Sequence, residues 1–282
     1  MKPKKSLGQN FLTSIPARIA IVNAGTLTPS DTVLEIGPGK GFLTQGLLDS
    51  GAQVIALEKD RELVPFLTEK FSSYKNFSVT EGDALTNEPP HAPYKLIANI
   101  PYYITGAILE TYLSHAYQPT QMVVLVQAEV AERVVARNGK ESILSIAVKV
   151  FGDPKLVYRV KRGSFNPIPN VDSAVLSISN ISRKNFTSTH HEEIFFKVLK
   201  AGFAHKRKFM IRNLESVIPV KTGIQVENLN NTDEKLDSRL HGNDNSLLRK
   251  IFSEIGLSEK VRAEDVTLSS WIQLSLNIAT HS

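Results

Sequence analysis

Thr32-Val33-Leu34-Glu35-Ile36-Gly37-Pro38-Gly39-Lys40-Gly41-Phe42-Leu43-Thr44-Gln45-Gly46-Leu47-Leu48 decides the fold. The first five residues are largely apolar and β-branched and read as a buried strand. Glycines then recur as Gly-x-Gly-x-Gly, and apolar groups return at helical spacing after them. Strand, glycine turn and helix form the opening unit of a doubly wound α/β fold. Where Cβ is missing, a ligand can approach the bare backbone closely. The dinucleotide fingerprint is not met, because Phe42 stands where a Gly or Ala is wanted. Pro38 also removes a backbone donor from the turn. Both features weigh against a pyrophosphate cradle.

Working outward, Gln53-Val54-Ile55-Ala56-Leu57 is a second strand and ends in Glu58. In this fold an acidic side chain there can accept both ribose hydroxyls of a nucleoside. A helix follows over 60–71, with Pro65 marking a kink or a boundary. Asn76-Phe77-Ser78-Val79-Thr80 is a third strand and leads to Asp83. Asp83 could accept a hydrogen bond from an adenine amino group; capping the next turn is an equally common use of an Asp after Gly. A Gly-x-Gly turn followed by two acidic strand ends suits S-adenosylmethionine better than NAD, since that cofactor carries no phosphates.

The next buried strand, Tyr94-Lys95-Leu96-Ile97-Ala98, closes in Asn99-Ile100-Pro101-Tyr102. An amide, an apolar residue, a proline and an aromatic ring can hold a flat, amine-bearing ring by its face and its exocyclic nitrogen. Asn and Pro are also ordinary turn residues. Met122-Val123-Val124-Leu125-Val126 is a central strand, and helices are predicted over 16–24, 106–116, 127–137 and 142–151. Glu129 and Arg133, spaced i,i+4, mark a solvated helix face.

A strand over 157–162 precedes Phe165-Asn166-Pro167-Ile168-Pro169-Asn170-Val171-Asp172-Ser173, a loop stiffened by two prolines. Phe165 is either a core ring or a platform for a base, a stack worth roughly 1–3 kcal/mol. Residues 174–178 form the last strand. Beyond a polar linker at 182–191, residues 192–214 have helical apolar spacing and carry His205-Lys206-Arg207-Lys208 and Arg212, the densest basic cluster of the chain. Helices are expected over 246–255 and 268–278. The organisation is thus a catalytic α/β domain over 1–181 and a helical domain over 182–282. Residues 217–245 are rich in loop formers and resemble a translated mobile repeat; they read as an insertion without function.

The chain has 282 residues, 41% hydrophobic and 22% charged, a composition with ample material for a core. No apolar run approaches the roughly 20 residues of a membrane span. Without cysteine there is no disulfide, thiolate catalysis or Cys-based metal site, which fits a cytoplasmic protein. The net charge of +5 hints at a polyanionic partner. Lys4 and Lys5 could begin a basic arm that tracks a phosphate backbone while Phe11 and Leu12 anchor it.

Taken together, Leu7-Gly8-Gln9-Asn10-Phe11-Leu12, the stretch 35–41, Asn99-Ile100-Pro101-Tyr102 and the loop 165–173 resemble the ribosomal RNA adenine dimethyltransferase family, most closely its small-subunit branch. The resemblance implies a Rossmann-like class I methyltransferase sheet with a small carboxyl-terminal helical domain. It implies an S-adenosylmethionine site made by Asn10, Leu12, Gly37, Gly39, Glu58, Asp83 and Asn99, and an adenine held between Tyr102 and Phe165. The expected partner is small-subunit rRNA in an immature small ribosomal subunit, met by a monomer without metal or membrane. The large-subunit branch, of the macrolide-resistance type, and a non-catalytic nucleic-acid-binding factor are the alternatives.

Overall fold

A computed structural model describes residues 3–4, 7–215 and 246–281. The segment 217–245 and Lys5 lie outside the described residues. Two compact units result: Met1–Asn138 with Leu144–Arg183, and Gly139–Ile143 with Lys184–Ser282.

The first unit begins with a two-residue strand, β1 (Phe11–Leu12), and helix α1 (Ile15–Ala24), whose Ser14 hydroxyl caps the Ala17 N–H. Then come β2 (Thr32–Ile36), α2 (Phe42–Asp49), β3 (Gln53–Glu58), α3 (Leu63–Lys70), β4 (Phe77–Glu81), β5 (Lys95–Asn99), α4 (Thr105–Ser114), β6 (Gln121–Gln127), α5 (Ala128–Val134), α6 (Ile143–Lys149), β7 (Asp153–Val160), β8 (Phe165–Asn166) and β9 (Ser173–Ser179). Pro65 falls in the first turn of α3, where its missing N–H costs nothing, so it marks a boundary rather than a kink.

Among the described residues, seven strands form one sheet in the order β4-β3-β2-β5-β6-β9-β7. The pairs from β4 to β6 are parallel, and β9 runs antiparallel to both of its neighbours. Met122, Val123, Val124, Leu125 and Val126 of β6 are fully buried, as a central strand covered on both faces requires. The chain winds outward from β2 through β3 and β4, then returns to place β5 on the other flank of β2. Strand order therefore reverses between β2 and β5, and in doubly wound sheets ligands bind at the carboxyl ends beside such a reversal. A second, two-stranded sheet pairs β1 with β8 antiparallel, setting Leu12 opposite Phe165.

In the second unit, α7 (Thr189–Gly202) and α8 (Met210–Glu215) divide the stretch whose apolar spacing looked continuous; α9 (Ser246–Glu254) and α10 (Leu268–Thr280) follow. The break has two causes. A Cβ on Gly202 would lie 2.5 Å from the Trp271 ring, so α10 crosses hard against the end of α7. The buried Asn213 amide then donates to the carbonyls of Gly202 at 2.7 Å and His205 at 3.2 Å, tying the turn shut. The turn 203–209 carries the basic cluster, with His205, Lys206, Arg207 and Lys208 all exposed. Among the described residues, no helix is long and apolar enough to cross a membrane.

Candidate active site

The carboxyl ends of β2, β3, β4 and β5 open onto one cavity of about 510 Å³. Asn10, Leu12, Gly37, Gly39, Glu58, Asp83, Asn99 and Tyr102 all border it. They are distant in sequence and meet because Gly37, Gly39, Glu58, Asp83, Asn99 and Tyr102 each follow or end a strand on the same edge of the seven-stranded sheet, while Asn10 and Leu12 come from the segment at β1.

The glycine turn explains itself stereochemically. Gly37 and Gly39 have φ of 64° and 59°, in the left-handed region that side-chain-bearing residues avoid. A Cβ on Gly37 would meet nothing within 4 Å, so that backbone faces open space. A Cβ on Gly39 would lie 2.9 Å from the Phe11 ring, which packs over the turn with the Lys40 ammonium 5.0 Å from its centroid.

Glu58 is buried beneath the turn. Its Oε2 accepts from the Gly39 N–H at 3.0 Å and its Oε1 from the Asp60 N–H at 2.8 Å. Burial raises its pKa and these backbone bonds oppose the rise. Each carboxylate oxygen keeps a second lone pair for a ligand hydroxyl. Asp83 does cap the next turn: Oδ1 accepts from the Leu85 N–H at 3.0 Å, while Lys59 Nζ sits 2.7 Å from Oδ2. The Lys59 bond and the Leu85 N–H hold the Asp83 carboxyl below its ordinary pKa.

Asn99 ends β5, and its Nδ2 donates to the Asn10 carbonyl at 3.0 Å. A carbonyl oxygen can only accept, so this bond fixes which end of the amide is nitrogen. Oδ1 is thereby the other end, an acceptor that takes no hydrogen bond from the described residues. Pro101 follows with φ −56° and ψ 129° and directs the chain into a single 3-10 turn, Tyr102–Ile104. Tyr102 is half-buried, its hydroxyl 2.6 Å from the Ser173 hydroxyl at the start of β9. Burial raises the Tyr102 pKa, so the phenol stays neutral.

Phe165 is the predicted site residue that the structure does not bring to the cavity wall. It is 3% exposed and belongs to the hydrophobic core with Leu12, Val160 and Val175. Its neighbour Asn166 borders the cavity instead. Lys4 also differs from expectation. Its ammonium lies 2.7 Å from Asp60 and 3.1 Å from Glu62, because a buried carboxylate requires a counter-charge, and it is not a free phosphate ligand.

With this geometry in place, the sequence model of a family described as ribosomal RNA adenine dimethylase matches residues 1–241. The chain belongs to that family. A ribosomal RNA small subunit methyltransferase A from Dehalococcoides mccartyi is 37% identical over 284 positions, covering 99% of this chain and 89% of its own length. The crystal structure of a dimethyladenosine transferase from Plasmodium falciparum superposes with a TM-score of 0.76 at 25% identity, covering 94% of this chain and 95% of its own. That of the 23S rRNA methyltransferase ErmE gives 0.73 at 25% identity, covering 95% and 99%. Backbone shape is thus shared with both a dimethyladenosine transferase and a 23S rRNA methyltransferase.

Two residues of this dimethylase cavity escaped the sequence reading. Glu35, one residue from the carboxyl end of β2, is 1% exposed and borders the cavity. Burial pushes its carboxyl up to about 8; the Glu58 charge adds to the rise and the Lys70 ammonium opposes it. Neither Glu35 Oε2 nor Thr44 Oγ1 completes a hydrogen bond. A buried carboxyl oxygen left unpartnered is costly, and a cationic ligand group would relieve it. The signal was an acidic residue inside an otherwise apolar central strand. Tyr103 is 63% exposed, packs on Gly8 and borders the cavity mouth; its only signal was its place after Tyr102.

Proposed function

We propose that the protein dimethylates the exocyclic amines of adjacent adenines in small-subunit rRNA, with S-adenosylmethionine as methyl donor. The observation that carries this reading is the Asn99 amide, fixed by the Asn10 carbonyl with its oxygen as acceptor beside a nucleoside-sized cavity. The identity to small-subunit relatives favours that substrate over large-subunit RNA.

The residues fit this cofactor. Glu58 suits the ribose hydroxyls, the open face of Gly37 suits close backbone approach, and the orphaned Glu35 carboxyl suits the ammonium of the methionine end. When bound, the cofactor supplies an electrophilic methyl group on a sulfonium.

An adenine amine is a poor nucleophile because its lone pair is delocalised into the ring. In the first transfer Asn99 Oδ1 and the Ile100 carbonyl accept its two N–H bonds and turn the lone pair out of conjugation, toward the methyl, and the methylated nitrogen sheds one proton to solvent. In the second a single N–H remains for one of the two acceptors, and that proton is shed in turn. Pro101 stiffens the turn that aims both acceptors, and Tyr102 holds one face of the base, its ring steadied through Ser173. Phe165 backs Leu12 of the cavity lining, its cross-strand partner in the β1–β8 pair. Extruding the base from its stack costs a few kcal/mol, offset by these contacts. Positioning supplies the rate. The helical unit with its exposed basic turn contacts rRNA phosphates.

The test supplies labelled S-adenosylmethionine with unmethylated small subunits, large-subunit RNA or DNA, followed by nucleoside analysis. Dimethyladenosine in small-subunit rRNA alone is expected. Label in large-subunit RNA instead would move the substrate assignment, and nucleic-acid binding without transfer would overturn the enzymatic reading.

A further inference from the structure

Asp60 does not border the cavity, yet it is a buried carboxylate, 5% exposed, two residues beyond Glu58. Its Oδ1 accepts from Lys4 Nζ at 2.7 Å and from the Glu62 N–H at 3.2 Å, and its Oδ2 accepts from Gln9 Nε2 at 3.1 Å. The Lys4 N–H donates in turn to Gln9 Oε1 at 2.8 Å. The Asp60 N–H donates to Glu58. One residue thus touches the Glu58 carboxylate through its backbone and grips the amino-terminal segment through its side chain.

That segment runs on directly into the site. Gly8 lies under the Tyr103 ring, the Asn10 carbonyl accepts from Asn99, Phe11 covers Gly39, and Leu12 pairs with Phe165. Between the β1–β8 pair at one end and Asp60 at the other, Leu7 lies in a single 3-10 turn and its N–H donates to the Lys4 carbonyl, and residues 8–10 belong to no helix or strand. Burial pushes the Asp60 carboxyl up, but the bonds from Lys4 and Gln9 outweigh it and hold the group below its ordinary range, ionised for both donors.

We propose that Asp60 is a positioning residue for methyl transfer: through Gln9 and Lys4 it holds Leu7–Leu12 against the cofactor cavity and so sets the Asn10 carbonyl that orients Asn99. The inference rests on the cofactor reading above. It makes Gln9 and Asp60 a single energetic unit, because removing either partner releases the same stretch of chain.

The test uses the full chain with S-adenosylhomocysteine as the probe, by calorimetry, together with amide hydrogen exchange of the free protein. Asp60→Ala is expected to raise the dissociation constant about tenfold, Gln9→Ala, which leaves the Lys4–Asp60 pair in place, by a smaller factor, and the double variant no further than Asp60→Ala alone, as coupled partners do. Amides of residues 8–12 should exchange faster in each, with those of β2 and β5 unchanged. Glu69→Gln, at an exposed carboxylate of α3 that bonds none of residues 4–12, is the control and should match the parent in both measurements. Gln9→Ala keeps the test decisive if Asp60→Ala does not fold. Parent-like affinity in Gln9→Ala, losses that multiply in the double variant, or unchanged exchange at residues 8–12 would each overturn the proposal. A parent protein that fails to bind S-adenosylhomocysteine defeats the cofactor reading instead, so the two failures are distinct.

Discussion

Asn99 and Phe165 separate positioning from packing. The Asn99 amide is partly exposed at the cavity and anchored at one end only, by the Asn10 carbonyl. Asn99→Ala removes the acceptor that turns the amine, so single-turnover methyl transfer should fall on the order of 100-fold, with a melting temperature close to the parent's. Phe165 is enclosed in the core, and Phe165→Leu keeps most of its apolar volume. That change should cost about 1 kcal/mol of stability and much less in rate at saturating substrate. Chemical denaturation and single-turnover kinetics on the same two proteins read both quantities. Equal rates for Asn99→Ala and the parent would remove Asn99 from the mechanism.

At the scale of elements, α7 and α10 meet at a buried imidazole. His191 is 1% exposed, and the Thr187 N–H donates to its Nδ1 at 3.3 Å. Nδ1 is therefore unprotonated and the proton resides on Nε2, which donates to the Ser275 hydroxyl at 3.0 Å, while that hydroxyl donates to the Ile272 carbonyl. Burial lowers the His191 pKa, and the Ile272 carbonyl opposes it. Protonation would set a second N–H against that of Thr187. Because the unfolded chain takes up this proton more readily, the stabilisation is complete above the unfolded value of about 6.5 and is lost as pH falls through the lower folded value. Thermal unfolding of the α7–α10 pair, followed through Trp271, should weaken on acidification below neutrality, and His191→Gln should flatten that dependence. An identical pH profile in the variant would count against His191 as its source.

Which elements were legible follows from the same physics. The β2–turn–α2 unit could be read because its parts are contiguous and its glycines answer a local steric demand. The strand ends at Glu58, Asp83 and Asn99 could be read because a doubly wound sheet delivers successive carboxyl ends to one edge. The β1–β8 pair could not, since two-residue strands carry no period and their partners lie in distant parts of the chain. The turn 203–209 was hidden because the cause of the break, Trp271 against Gly202, comes from another helix. The Asp60 grip was hidden for the same reason. Lys4 and Gln9 look like an exposed basic arm until the burial of Asp60 is known.

For the whole molecule, the net charge of +5 matters less than where unneutralised cations lie. Arg133 is paired with Glu129, Arg137 and Arg159 share Glu132, Lys161 is paired with Asp172, and Lys4 with Asp60. Lys206, Arg207 and Lys208 differ: they are exposed on one turn, and no ion pair engages them among the described residues. Cations of that kind bind a phosphate backbone by releasing its counterions, so affinity falls linearly on logarithmic axes as salt rises. Replacing all three by alanine should flatten that slope by about 2–3 and weaken binding evenly across RNA sequences, as phosphate contacts do. Lys4→Met should leave the slope unchanged, because Lys4 is neutralised within the protein. The measurement is a salt titration of binding to an rRNA fragment for the parent and both variants. A slope lost with Lys4 and kept without the 206–208 cluster would move the RNA-binding face to the amino-terminal segment.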